Sequence, residues 1–154
     1  MTLKERVEAD VKESMKNPEK KHELEVLRMM KSALMNAEIE KRAKSGLDAK
    51  LDESEELTII QKAIKSLEES QGLYKQGGRE DLAEAAEGEL AIMRRYVPAP
   101  MTEGEIAEIV KKAVAESGLS GAAAFGPVMK LVTPLTKGRA DGAVVSKIVK
   151  ETLG

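Results

Sequence analysis

The residues in this 154-residue chain that could do chemistry are few and poorly matched to one another. His22 is the single histidine, and there is no cysteine. A general base or a zinc site needs a second or third ligand at short spacing, and none accompanies His22. It reads as a surface histidine in a charged helix. The carboxylates are abundant, but they fall where helices favour them. Glu53, Glu55 and Glu56 crowd a helix start, where negative charge meets the positive end of the peptide dipoles. Glu84, Glu87 and Glu89 lie in a solvated stretch and match no calcium-loop pattern. No metal or cofactor is expected, and no self-contained catalytic constellation is visible.

The loop from Lys137 to Gly142 (KGRADG) has the glycines of a phosphate cradle but not its context. It lacks the lysine-serine pair of a nucleotide loop and any preceding strand. Arg139 beside a helix start could hold one phosphate, whereas Asp141 as a helix cap would occupy the same backbone donors. Both readings stand at this level. Charge partition adds to the phosphate side. From Gly126 onward, Lys130, Lys137, Arg139, Lys147 and Lys150 outnumber Asp141 and Glu151 by three, while the first 97 residues carry 18 basic and 21 acidic side chains. A mildly basic tail can track a phosphate backbone with strong salt dependence but cannot by itself read bases. Phe125, Tyr74 and Tyr96 are the only aromatic residues, which disfavours modules that stack single-stranded RNA. Arg94 and Arg95, before Tyr96, suit the negative end of a helix.

The elements that must position these residues read as helices throughout. Thr2 with Glu5, Asp52 with Glu55, and Thr102 with Glu105 have capping-box spacing. The first predicted helix runs to about Met15, and Asn17 followed by Pro18 starts the second. In that second helix Leu24, Leu27, Met30, Leu34, Ala37 and Ile39 form the expected apolar face, and Gly46 ends it. Leu57, Ile60, Ile64 and Leu67 line the third, which stops before Gly77. The fourth begins near Arg79 and reaches Tyr96, with Gly88 marking a possible close approach of another helix. Pro98 and Pro100 break the pattern, so residues 1–97, a linker at 98–101 and residues 102–154 are the expected divisions. In the last part, Ile106, Ile109, Val110 and Val114 form one helix face. Residues 119–126 read as small and flexible. A short helix from about Pro127 to Val132 is cut by Pro134, and Val144, Val145, Ile148 and Val149 line a final helix. The expectation is an all-α chain: an antiparallel domain of about four helices and a three-helix module. With no apolar run of membrane-spanning length and no signal-like N-terminus, a cytoplasmic setting without membrane contact is expected.

The tail segments Phe125 to Lys130 (FGPVMK), Lys137 to Ser146 (KGRADGAVVS) and Val149-Lys150 resemble the terminal module of the YqeY-like family. That module is shared with the C-terminal tail of the GatB subunit of the tRNA-dependent amidotransferase. Leu27 to Ala33 (LRMMKSA) with Asn36 resembles the family's second helix. Lys62 to Lys65, Tyr74, Gly78 to Leu82, and Glu89 to Pro98 resemble its third and fourth. The resemblance implies a helical front joined to a tail that grips tRNA, with chemistry performed elsewhere. It makes Lys130, Lys137, Arg139 and Lys147 the expected RNA-facing positions, with Gly126, Gly138 and Gly142 shaping the module; the charge count adds Lys150 to the first set, and the cap reading adds Asp141 to the second. Pro127 stands where the family more usually has lysine, which removes one positive charge. The implied partners are tRNA or a tRNA-modifying or aminoacylation enzyme. Two other readings remain open: a helical protein-protein adaptor, and a subunit contributing to carbon-nitrogen ligase activity with glutamine as amido donor. The oligomeric state is not legible.

Overall fold

The computed structural model describes residues 1–154, and every regular element is helical. Seven α-helices follow in order: α1 (Leu3–Ser14), α2 (Lys21–Ser45), α3 (Glu53–Gln76), α4 (Glu80–Arg94), α5 (Glu103–Ser117), α6 (Phe125–Thr136) and α7 (Gly142–Leu153). Short 3-10 turns at Pro18–Lys20 and Ala122–Ala124 precede α2 and α6. The chain forms two compact units, Met1–Val97 and Pro98–Gly154.

The helix starts are set locally. All three capping boxes form: the Thr2, Asp52 and Thr102 side chains each accept from the N–H of the glutamate three residues on, which reaches back to the cap N–H. Each start thereby satisfies two backbone donors that no helix can satisfy internally. Asn17 caps the turn at Pro18, its Oδ1 accepting from the Glu19 N–H at 3.0 Å. At the far end of α5, Gly118 takes the left-handed conformation, with φ of +64°. A side chain there would be strained.

In the first unit, α3 packs on α4 and α1 on α2, with α2 also touching α3 and α4. The core is aliphatic and sulfur-rich: Val7, Leu27, Met30, Leu34, Ile60, Leu90 and Met93 are essentially inaccessible. The expected face of α2 needs one correction. Ile39 is 58% exposed, and Glu38 is buried at 7%. Glu38 lies four residues beyond Leu34 and continues its row, whereas Ile39 has rotated off it. A carboxylate is tolerated there because Lys4 Nζ donates to both of its oxygens at 3.1 Å, and Arg42 Nη2 donates at 2.7 Å.

Glu56 is likewise buried, at 3%, and not part of a solvated helix start. Its Oε2 accepts from the backbone N–H of Lys4 at 3.3 Å, so α3 caps α1 from outside. Gly88 does not mark a tight crossing. A Cβ built there meets only His22 Nε2, at 3.9 Å, an ordinary contact.

In the second unit, α5 packs on α6 and α7, and α6 on α7. Ile106, Val110, Ala124, Val128, Val132, Val145 and Val149 are its buried centre. Residues 119–126 are more ordered than expected, since α6 already begins at Phe125. Nor does Pro134 cut α6, which continues to Thr136. Pro127 falls in the first turn, where a missing N–H costs no intrahelical bond. Pro134 removes one bond in the last turn, but it is exposed, and the buried row Val128, Val132 and Thr136 holds both sides of it to the core. The Thr133 and Thr136 hydroxyls reinforce the backbone there, donating to the Met129 and Val132 carbonyls at 2.7 and 3.2 Å.

Two stability measurements follow from these environments. Gly88→Ala should stabilise the protein by about 0.5–1 kcal/mol in thermal or urea unfolding, because alanine fits and restricts the unfolded chain. Glu38→Gln should cost about 1–3 kcal/mol near neutral pH, since it weakens the charged hydrogen bonds from Lys4 and Arg42 in a buried place. Burial alone would raise the Glu38 carboxyl, but the hydrogen bond and charge of Lys4 and the charge of Arg42 hold it below its ordinary 4.5. The contribution of Glu38 is therefore present above the unfolded value and lost as pH falls through the folded one. Wild-type and variant urea midpoints should converge in acid.

Candidate nucleic-acid interface

The five tail cations expected to face a phosphate backbone are all exposed. They do not form one cluster. Lys130 lies in the middle of α6, and Lys137 and Arg139 follow its C-terminal end. Lys147 and Lys150 are on α7, where Lys150 Nζ lies 5.5 Å from the centroid of the Phe125 ring at the opposite end of α6. Twelve helical residues span about 18 Å. The cations are thus spread along the length of α6, a distance greater than the screening length of about 8 Å at physiological salt. Such a spread suits successive phosphates along a strand better than a single phosphate pocket.

Arg139 has a further role that the loop composition did not reveal. Its Nε donates to the Ala99 carbonyl at 3.3 Å, and its own carbonyl accepts from the Met101 N–H at 2.8 Å. Residues 99–101, expected to be a linker, are therefore stitched to the loop after α6. No spacing rule announces a bond between residues forty apart. Within the loop, Gly138 has a φ of +81°. Asp141 caps α7, its Oδ1 accepting from the Ala143 N–H at 2.9 Å, so the cap reading of this loop holds. Gly126 lies in the first turn of α6 and Gly142 opens α7; a Cβ at either would meet open space.

The electrostatic setting of these cations differs from that in the first unit. There, Arg94 joins Glu68 at 2.9 Å and Glu87 at 3.1 Å, Arg95 joins Glu23 at 3.1 Å, and Lys4 and Arg42 converge on Glu38. In the second unit, Lys130 and Lys137 make no ion pair. Lys147 approaches Glu151 only at 3.9 Å, with both side chains largely in solvent, a contact of little energetic weight. Lys130, Lys137 and Lys147 are available to an external anion without breaking internal structure, whereas Arg139 already holds the Ala99 carbonyl.

Polar groups of the first unit gather around Tyr96. Tyr96 is buried and its hydroxyl donates to Asp10, while Arg6 lies 5.3 Å above the ring. Burial, followed by the hydrogen bond and charge of Asp10, pushes the phenol well above its usual range. An open cleft of about 260 Å³ beside Tyr96 is lined by Arg6, Asp10, Glu13, Lys20, Glu23 and Arg95, with the charges balanced. His22 is exposed, and no three His, Asp or Glu side chains converge in the manner of a metal centre. No helix is long and apolar enough to cross a membrane.

An all-helical chain with two separate cores, ion pairs that join helices in the first unit and exposed lysines on α6 and α7 in the second belongs to the class of small helical proteins. Within that class, this chain belongs to the YqeY-like family: the family described as Yqey-like protein matches residues 4–153. It is also similar to altered inheritance of mitochondria protein 41, mitochondrial, of Pyrenophora tritici-repentis. The two are 34% identical over 153 residues, covering 97% of this chain and 80% of that protein.

The Asp141 cap gives a direct test of the loop's structural role. Asp141→Ala should lower stability by about 1 kcal/mol in thermal unfolding, the usual cost of losing a side-chain acceptor at a helix start.

Proposed function

We propose that this protein is a non-catalytic, tRNA-binding accessory protein that acts through its C-terminal unit in the cytoplasm. The observation that carries the reading is the exposed, largely unpaired set Lys130, Lys137, Lys147 and Lys150. These cations are distributed along one small helical unit within a chain whose formal net charge is −2. The resemblance of the tail to a tRNA-gripping module supports tRNA over other polyanions. With so few aromatic residues and no basic helix free of the core, recognition would depend on the shape and backbone of a folded RNA.

Binding of the purified full-length chain to a mixed tRNA pool across a salt series tests this. The affinity should fall steeply with salt, and Lys137→Ala/Lys147→Ala should flatten the log-log slope by about one to two, since each phosphate contact contributes roughly 0.7–0.9. Neither lysine holds a bond the fold depends on, so the variant's helicity should be unchanged by circular dichroism. Salt-insensitive binding, or no binding at low salt, would remove this reading.

A further inference from the structure

Helix α6 carries a second surface that the cations alone do not explain. Its outer face presents Leu131 and Leu135, exposed at 41% and 61%, in one row with the exposed Pro127 at steps of four residues. The neighbouring row Val128, Val132 and Thr136, about 100° further around the helix, is buried in the unit's core, and Leu131 and Leu135 extend beyond its edge into solvent. Lys130 and Pro134 form the adjacent exposed row, and Lys137 closes its end. From Ser117 to Ala140 there is no carboxylate at all, although the chain contains 27. An apolar ridge bordered along its solvent side by cations, in a stretch without acids, is complementary to a surface of the opposite design.

We propose that the Pro127, Leu131 and Leu135 ridge of α6 docks an acidic amphipathic helix of a partner protein, with carboxylates of that helix facing Lys130 and Lys137. A ridge spaced every four residues fits between the side-chain rows of another helix, and two turns of contact are enough to align it. RNA gains nothing from aliphatic leucines, because bases stack on aromatic rings and guanidinium planes. A membrane surface is a poorer fit too. Interfacial helices bury a broad face rich in Trp, Phe and Leu, and here the wider apolar face is already buried in the core. The ridge therefore adds a protein partner to the RNA reading, and shares only Lys130 and Lys137 with it.

The test uses the full-length chain and a labelled synthetic amphipathic helix of about 16 residues with a leucine stripe flanked by glutamates. A twin peptide has the glutamates replaced by lysines. The acidic peptide should bind and the basic twin should not. Leu131→Ser/Leu135→Ser should weaken the acidic peptide by about tenfold or more, as loss of central apolar anchors does. The same variant should keep its tRNA affinity and its helicity, since both leucines are exposed. Equal binding of both peptides, or acidic-peptide binding unchanged in the leucine variant, would overturn the proposal. So would absence of peptide binding, including the case in which anionic phosphatidylserine vesicles bind the wild type and not the variant. Loss of tRNA affinity with peptide binding intact would count against this ridge as a separate surface and leave the cation reading standing.

Discussion

Lys4 holds more of the first unit together than its position near the chain start suggests. Its ammonium lies on both oxygens of Glu38 from α2, and its backbone N–H is accepted by Glu56 from α3. One residue of α1 therefore binds the two longest helices of the unit through two nearly inaccessible carboxylates. Neither acid would be tolerable alone, because a buried charge without partners shifts its ionisation or destabilises the fold. Glu38 is compensated by full charges, which keep it ionised. Glu56 is met mainly by backbone dipoles, and burial accordingly raises its carboxyl above the ordinary value. The two acids thus answer the same problem in opposite ways, and the arrangement of α1, α2 and α3 serves both.

How much of this was legible in the sequence depended on how local the determining force was. The capping boxes at Thr2, Asp52 and Thr102 depend on residues three apart and formed as read. So did the helix end at Gly46. The apolar rows through Leu27 and Leu34, and through Val145 and Val149, were legible from periodicity alone. Local pattern does not reach features that tertiary partners decide. Ile39 looks like a core residue until Glu38 finds Lys4 across the helix interface. Pro134 looks like a terminator until the buried residues on both sides of it outweigh one missing hydrogen bond. Of the interface, residue types and exposure were legible, but the tether from Arg139 to Ala99 and the spread of the cations along α6 required the fold.

The division of charge between the units also has a material basis. With three aromatic residues in the whole chain, the first unit fills its core with leucine, isoleucine and the methionines Met30 and Met93. Methionine adapts its shape and specifies geometry loosely. The ion pairs of Arg94, Arg95, Lys31 and Lys41 join different helices around that core. Each is weak when exposed, yet each has a preferred partner and direction, which a methionine lacks. The second unit is packed by valine, isoleucine and alanine with restricted rotamers and does not call on its lysines in this way.

The hydrophobic clusters of the two units have no residue in common: one draws on Leu3 to Val97, the other on Met101 to Leu153. Chain growth on the ribosome runs in that same order. Once Val97 has left the exit tunnel, every side chain of the first core is available, and its collapse need not await the tail. Segments whose apolar faces close early spend less time exposed to neighbouring nascent chains. The order of the two cores along the chain thus becomes a timetable, in which the first core can close before the second has been fully made.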